Sequence, residues 1–169
     1  MSFSDSQDSR RSSDRHGWNS LTSYLDAHHG YLRALEYFIE DNGLEIRPAG
    51  PETLQISGSI RCQHDLVLHV NKLLRINVRR QVRTTNYSYH ACWGEDGSRP
   101  IFRYDNAHEY GREGHPDPHH KHLFSTVTWK EIQPPAHVGY EHWPTLGDVI
   151  QELADWWEET GRFLDDPDR

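Results

Sequence analysis

Five of the thirteen histidines of this chain fall in one stretch, FRYDNAHEYGREGHPDPHHKHL, from Phe102 to Leu123. They are His108, His115, His119, His120 and His122, and Arg103, Tyr104, Asp105, Asn106 and Lys121 stand among them. An imidazole titrates near neutral pH, so it can move a proton, ligate a divalent metal or, when charged, hold a phosphate. As an acid–base site, a neutral and a protonated ring drawn from His108, His119, His120 and His122 would divide the proton work. Arg103 and Lys121 would then offset charge on a phosphodiester, and no cofactor is needed.

A metal reading draws on the same residues. In an extended segment His120 and His122 share one face, and His119 and Lys121 the other. One such pair with Asp105, His108 or His115 supplies ligands of the kind zinc accepts. No HExxH or CxxC reinforces it. A third reading is plainer: a polar loop that serves as a partner-binding edge, with Asp105-Asn106 initiating a turn.

Periodicity indicates the elements that must position these residues. Leu21, Tyr24, Leu25, His28, Tyr31, Leu32, Leu35, Phe38 and Ile39 recur at three- and four-residue spacing, which predicts a helix over about 18–42, capped by Asn19 or Ser20. Asn42-Gly43 is its expected stop. His28 lies on the apolar stripe and reads as a packed histidine. From Leu54 the period changes to two. Leu54, Ile56, Gly58, Ile60 and Cys62 alternate with polar residues, followed by Leu66–Val70, Leu74–Val82, Tyr87–Trp93 and Phe102–Tyr104. Asn71-Lys72 and Glu95–Ser98 are the expected hairpin turns. Beyond the histidines a short strand is expected at Phe124–Lys130, broken by Pro134-Pro135. A second helix opens at Pro144-Thr145, with Asp148 as the third residue of a capping box.

The expected fold is α+β: an antiparallel β-meander of about five to six strands packed by an N-terminal and a C-terminal helix. Residues 1–17 are rich in Ser, Asp and Arg and read as a disordered polar tail. Residues 18–160 form one domain, and 161–169 an acidic tail that frays. No run approaches the roughly 18 apolar residues of a membrane-spanning helix, and the N-terminus lacks an apolar secretory segment. The expected location is the cytoplasm, with no membrane partner. Cys62 and Cys92 are too few for a disulfide framework and read as buried thiols.

The net charge is −8, with three lysines against fifteen arginines. A protein that grips nucleic acid needs a basic face, so any such face here must be local. Arg75, Arg79, Arg80 and Arg83 form the one dense basic run. At strand spacing Arg79 and Arg83 share a face with Arg75 and could form a phosphate track toward the histidines.

The motifs Arg103-Tyr104-Asp105-Asn106-Ala107-His108 and Pro118-His119-His120-Lys121-His122, followed by a Pro-rich link and an acidic amphipathic helix, resemble the TumE family of toxin–antitoxin proteins. Tyr87, Tyr89 and the Asp96-Gly97 turn fit the same pattern, and the likeness runs from about Leu44 to the last helix. The resemblance implies a toxin, usually encoded beside a helix-turn-helix antitoxin, and leaves its mechanism open. Joined to the acid–base reading, it suggests a metal-independent endoribonuclease. Asp105, His108, His119, His120 and His122 would then form the catalytic group. Arg103, Tyr104, Asn106, Lys121, Arg79 and Arg83 would contact RNA. The alternative is a non-catalytic interaction module loaded with a divalent metal such as zinc. A homodimer is compatible with either.

Overall fold

Segments of period two pair side by side because alternation leaves each with one apolar and one polar face. The computed structural model describes residues 3–94, 96–107 and 118–164, with backbone alone for 3–9. Its strands are β1 (Ile39–Asn42), β2 (Glu45–Gly50), β3 (Thr53–Cys62), β4 (Leu66–Ile76), β5 (Val82–Trp93), β6 (Arg99–Asp105), β7 (His120–Phe124) and β8 (Glu131–His137). The helices are α1 (Phe3–His16), α2 (Leu21–Ala34) and α3 (Leu146–Glu159), with a 3₁₀ turn at Gly161–Phe163. All eight strands join one antiparallel sheet in the order β1-β3-β4-β5-β6-β7-β8, with β2 also paired to β3. The α+β meander is as expected, and the extra strands are the short ones at its margins.

One sheet face is apolar. Register aligns Ile60, Leu68, Ala91 and Phe102, and beside them Val70, Tyr89 and Tyr104. Leu146, Val149, Ile150 and Leu153 of α3 pack onto this side, all 2% exposed or less. Burial of each such aliphatic side chain contributes about 1.5–3 kcal/mol. Thr145 and Asp148 cap α3 reciprocally, as their spacing predicts. Cys62 and Cys92 are free and buried, and burial pushes their thiols up to about 12 and about 11.

Several expectations need correction. Residues 3–16 are helical rather than disordered. The segment docks through polar groups, which hydropathy does not register. Buried Asp14 accepts hydrogen bonds from Trp18 Nε1 (2.8 Å) and Tyr31 OH (3.1 Å), and Arg11 pairs with Asp148 at 2.7 Å. The second helix ends at Ala34, and Ile39–Asn42 pairs with β3 instead of continuing it. Asn71-Lys72 is no turn. The β4 strand runs through it and reverses at 77–81, where Asn77 Oδ1 accepts from the Arg79 and Gln81 amides. The expected strand at 124–130 is displaced: β7 ends at Phe124, and Pro134-Pro135 lies within β8. Proline is tolerated there because the β7–β8 register breaks between the pairs Lys121–Ala136 and Leu123–Ile132, leaving 133–135 without ladder partners on an edge strand. Of the expected frayed tail, 161–163 is ordered as the 3₁₀ turn, and 165–169 lies outside the described residues.

Gly58 is required where β1 gives way to β2. Its φ is +140°, and a Cβ would come 2.2 Å from the Gly43 carbonyl oxygen.

His28 is 5% exposed and stacked on Tyr24 at 6.3 Å. Burial, followed by the charges of Lys72 and His29, lowers its imidazole to about 4. The ring is therefore neutral in the folded protein, while the unfolded chain takes up its proton near pH 6.5. Between these values the unfolded state binds more protons, so stability should fall as pH drops from about 6.5 toward 4. Replacing His28 with Phe should flatten that part of the profile, as urea unfolding at successive pH values would show. An unchanged slope would assign the acid sensitivity to other groups.

Candidate functional site

Antiparallel register carries a second consequence, because directly paired residues project from the same face. On the face opposite α3 it assembles the row Ser59–His69–His90–Arg103–His122 across β3 to β7. Beside it runs Ser57–Asn71–Ser88–Asp105–His120–His137. The rows are exposed at His69 and Asn71 and close over at Asp105, His120 and His122, which are 3–6% exposed.

At the closed end His122 is held on both nitrogens. Nδ1 lies 2.5 Å from Glu131 Oε1. Nε2 lies 3.2 Å from Arg103 Nη2 and 3.3 Å from Asp105 Oδ2. Arg103 Nε in turn donates to Asp105 Oδ2 at 2.8 Å. The hydrogen bond from His122 holds the Glu131 carboxyl below its usual range, so Glu131 is an anion near neutral pH. A carboxylate at Nδ1 fixes the tautomer and leaves Nε2 as the proton-exchanging atom. His120 Nδ1 donates to the Pro118 carbonyl at 2.7 Å, and its ring meets His137 edge to face. Across Arg103, His90 is half-buried. Burial, then the charges of His69 and Arg103, lower its pKa, so its ring is neutral at pH 7.

Of the predicted site residues, Arg103, Asp105, His120 and His122 therefore converge. The others divide. His119 lies on the opposite side, stacked on Trp143 at 5.5 Å with Nδ1 3.0 Å from Tyr87 OH. Lys121 pairs with Glu152 of α3 at 2.5 Å, and Tyr104 OH donates to the same carboxylate at 2.8 Å. Both anchor the helix instead of facing the histidine rows. Asn106 extends the sheet, its Oδ1 accepting from the Tyr87 amide and its Nδ2 donating to the Thr85 carbonyl. Asp105 Oδ1 accepts from the Ala107 amide, the Asx geometry expected of a turn. Arg79 sits in the 77–81 turn, so only Arg75 and Arg83 of the basic run are strand partners. His108 and His115 lie outside the described residues. Among the described residues no group of three or more His, Cys, Asp or Glu side chains is arranged to hold a metal ion.

His69, His90 and Glu131 escaped the sequence reading. Each histidine occupies a polar position of its strand's alternation, a legible signal, but alignment with Arg103 depends on the register of neighbouring strands.

No helix among the described residues is long and apolar enough to cross a membrane. No curated protein and no solved structure matches the chain. The family model described as Toxin TumE matches residues 28–163, which contain both motifs, all eight strands and α3. The chain thus belongs to the TumE family and is a toxin of a toxin–antitoxin system, with an antitoxin as its partner.

Proposed function

We propose that this toxin cleaves RNA on the polar face of its sheet, within the cytoplasm, and is restrained by a cognate helix-turn-helix antitoxin. The observation that carries the reading is the row His90–Arg103–His122, in which one guanidinium stands between two imidazoles on neighbouring strands. Two strand spacings place the outer residues about 9–10 Å apart, a span that can bracket a phosphodiester. Arg103, 36% exposed in its side chain, is the most accessible member of the closed end and would meet the phosphate. Neutral His90 would take the proton of the ribose 2′-hydroxyl as its oxygen attacks phosphorus. His122, held by Glu131, would return a proton to the departing 5′-oxygen, leaving a 2′,3′-cyclic phosphate. Asp105 and Glu131 act as positioning residues. Acid and base are both side chains, so the scheme calls for no metal.

Purified full-length protein should cut labelled RNA to cyclic-phosphate ends and leave DNA of the same sequence intact. Cleavage should rise with pH through the depressed titration of His90, giving an acid limb below pH 6.5 that is absent in His90→Ala. If the double replacement His90→Ala/His122→Ala cut RNA at the parental rate, the assignment would be wrong. The burial of His122 and Asp105 favours a second reading, a non-catalytic interaction module whose polar network only stiffens the sheet. That reading expects growth arrest without RNA cleavage.

A further inference from the structure

At the end of the sheet, on the side of α1, lies a cavity of about 330 Å³ whose walls include Arg15, Arg75, Arg83, Asn106, His119 and Tyr140. Its described lining contains no Asp or Glu, although acidic residues outnumber Lys and Arg by 26 to 18 in the chain. Arg75 and Arg83 are direct cross-strand partners. Like charges in that position repel, and among the described residues no carboxylate pairs with either. A third guanidinium, Arg15, comes from α1, outside the family-matched residues. Two of the three are held by the wall: Arg83 Nη2 donates to Tyr140 OH at 3.2 Å, and Arg15 Nε to the Trp143 carbonyl at 3.1 Å. Three guanidiniums lining one cavity, with no carboxylate among the described residues of its wall, form a binding site for an anion.

The geometry points to this cavity as the site that grips the phosphates of the RNA strand beside the reaction centre, an inference that rests on the RNA-cleaving reading. Asn106 and His119 in its wall are the chain neighbours of Asp105 and His120 in the polar rows, but His119 projects from the other side of the sheet, so a bound strand would pass around the sheet end to join cavity and rows. Of the wall aromatics, Trp143 and His119 are 2% and 6% exposed, while half-buried Tyr140 is fixed by its hydroxyl, which accepts from Arg83 Nη2 and donates to the Arg15 carbonyl. The three guanidiniums suit backbone phosphate, a contact that carries no sequence information of its own. Helix α1 thereby gains a function in binding, because Asp14 seats it so that Arg15 completes the cavity.

The test uses a labelled 2′-O-methyl RNA 10-mer, which lacks the attacking hydroxyl and cannot be cut. Its affinity for the full chain is measured by anisotropy over a range of KCl concentrations. Arg75→Ser/Arg83→Ser should bind about 10-fold or more weakly, with a salt slope shallower by about 1.4, the share of two single-strand phosphate contacts. Arg15→Ser, on a separate element, should lower the slope by about 0.7. Circular dichroism verifies folding of each variant. Parental affinity and slope in both variants, or no binding by the parent, would overturn the proposal. Parental binding in the variants together with RNA cleavage by the parent would remove the cavity and leave the nuclease. Binding that depends on the arginines in a protein that cuts no RNA would do the reverse.

Discussion

His122→Ala is expected to lower RNA cleavage by about 10²–10⁴-fold, the range for loss of a positioned acid or base, while the protein stays folded. The fold should survive because Asp105 keeps its hydrogen bond from Arg103 at 2.8 Å, so no buried carboxylate is stranded. The vacated hydrogen bonds should cost about 1–3 kcal/mol. Glu131→Gln separates positioning from proton transfer. The amide keeps the carboxylate's shape but removes the negative charge that orients the ring, and a loss of about 10–100-fold is expected, as for other partners that orient a functional imidazole. This loss should fall on kcat rather than KM. Unaltered kcat in both variants, with cyclic-phosphate products still forming, would remove His122 from the mechanism.

Lys72→Ala should be among the most destabilising single changes in the molecule, at about 2–5 kcal/mol, the range for truncating a long buried side chain to Ala. Lys72 stands on the apolar sheet face in register with Ile56 and Tyr87, is 3% exposed, and holds its ammonium 5.2 Å from the centre of the Tyr24 ring. A lysine so deep requires compensation. The Asp14 carboxylate, 4% exposed, supplies opposite charge from α1. Truncation would leave a cavity under Tyr24 and remove a positive charge acting on the buried Asp14, whose hydrogen bonds from Trp18 and Tyr31 remain. Lys72→Met, which keeps the stem, should recover the packing part of the loss. The losses from Asp14→Ala and Lys72→Ala should not add fully, since the two buried charges act on one another across the same cluster. Urea unfolding measures all of these. A Lys72→Ala variant within about 1 kcal/mol of the parent would mean that the ammonium is solvated.

Where a residue's fate depends on its own neighbours in the chain, it could be read in advance. The period of two in Leu54–Cys62, Leu66–Ile76 and Val82–Trp93 specifies strands with one buried face, and 3.6-residue spacing with Thr145 and Asp148 specifies α3 and its start. The opposition of His120 and His122 to His119 and Lys121 follows equally from local geometry, since successive residues of an extended chain point apart. The two motifs were enough to suggest the family.

What depended on distant partners could not be read. Asn71-Lys72 has the composition of a turn and became the middle of a strand because Asp14 and Tyr24, far off in sequence, accommodate a buried ammonium. The Ser-, Asp- and Arg-rich N-terminus lacks apolar surface and is ordered by specific hydrogen bonds instead. Glu131 reaches His122 through the pairing of β7 with β8, and His90 meets Arg103 through the pairing of β5 with β6. Residue order thus established which side chains share a face within each strand. Strand register, a property of the assembled sheet, selected which of those faces' imidazoles, guanidiniums and carboxylates came within reach of one another.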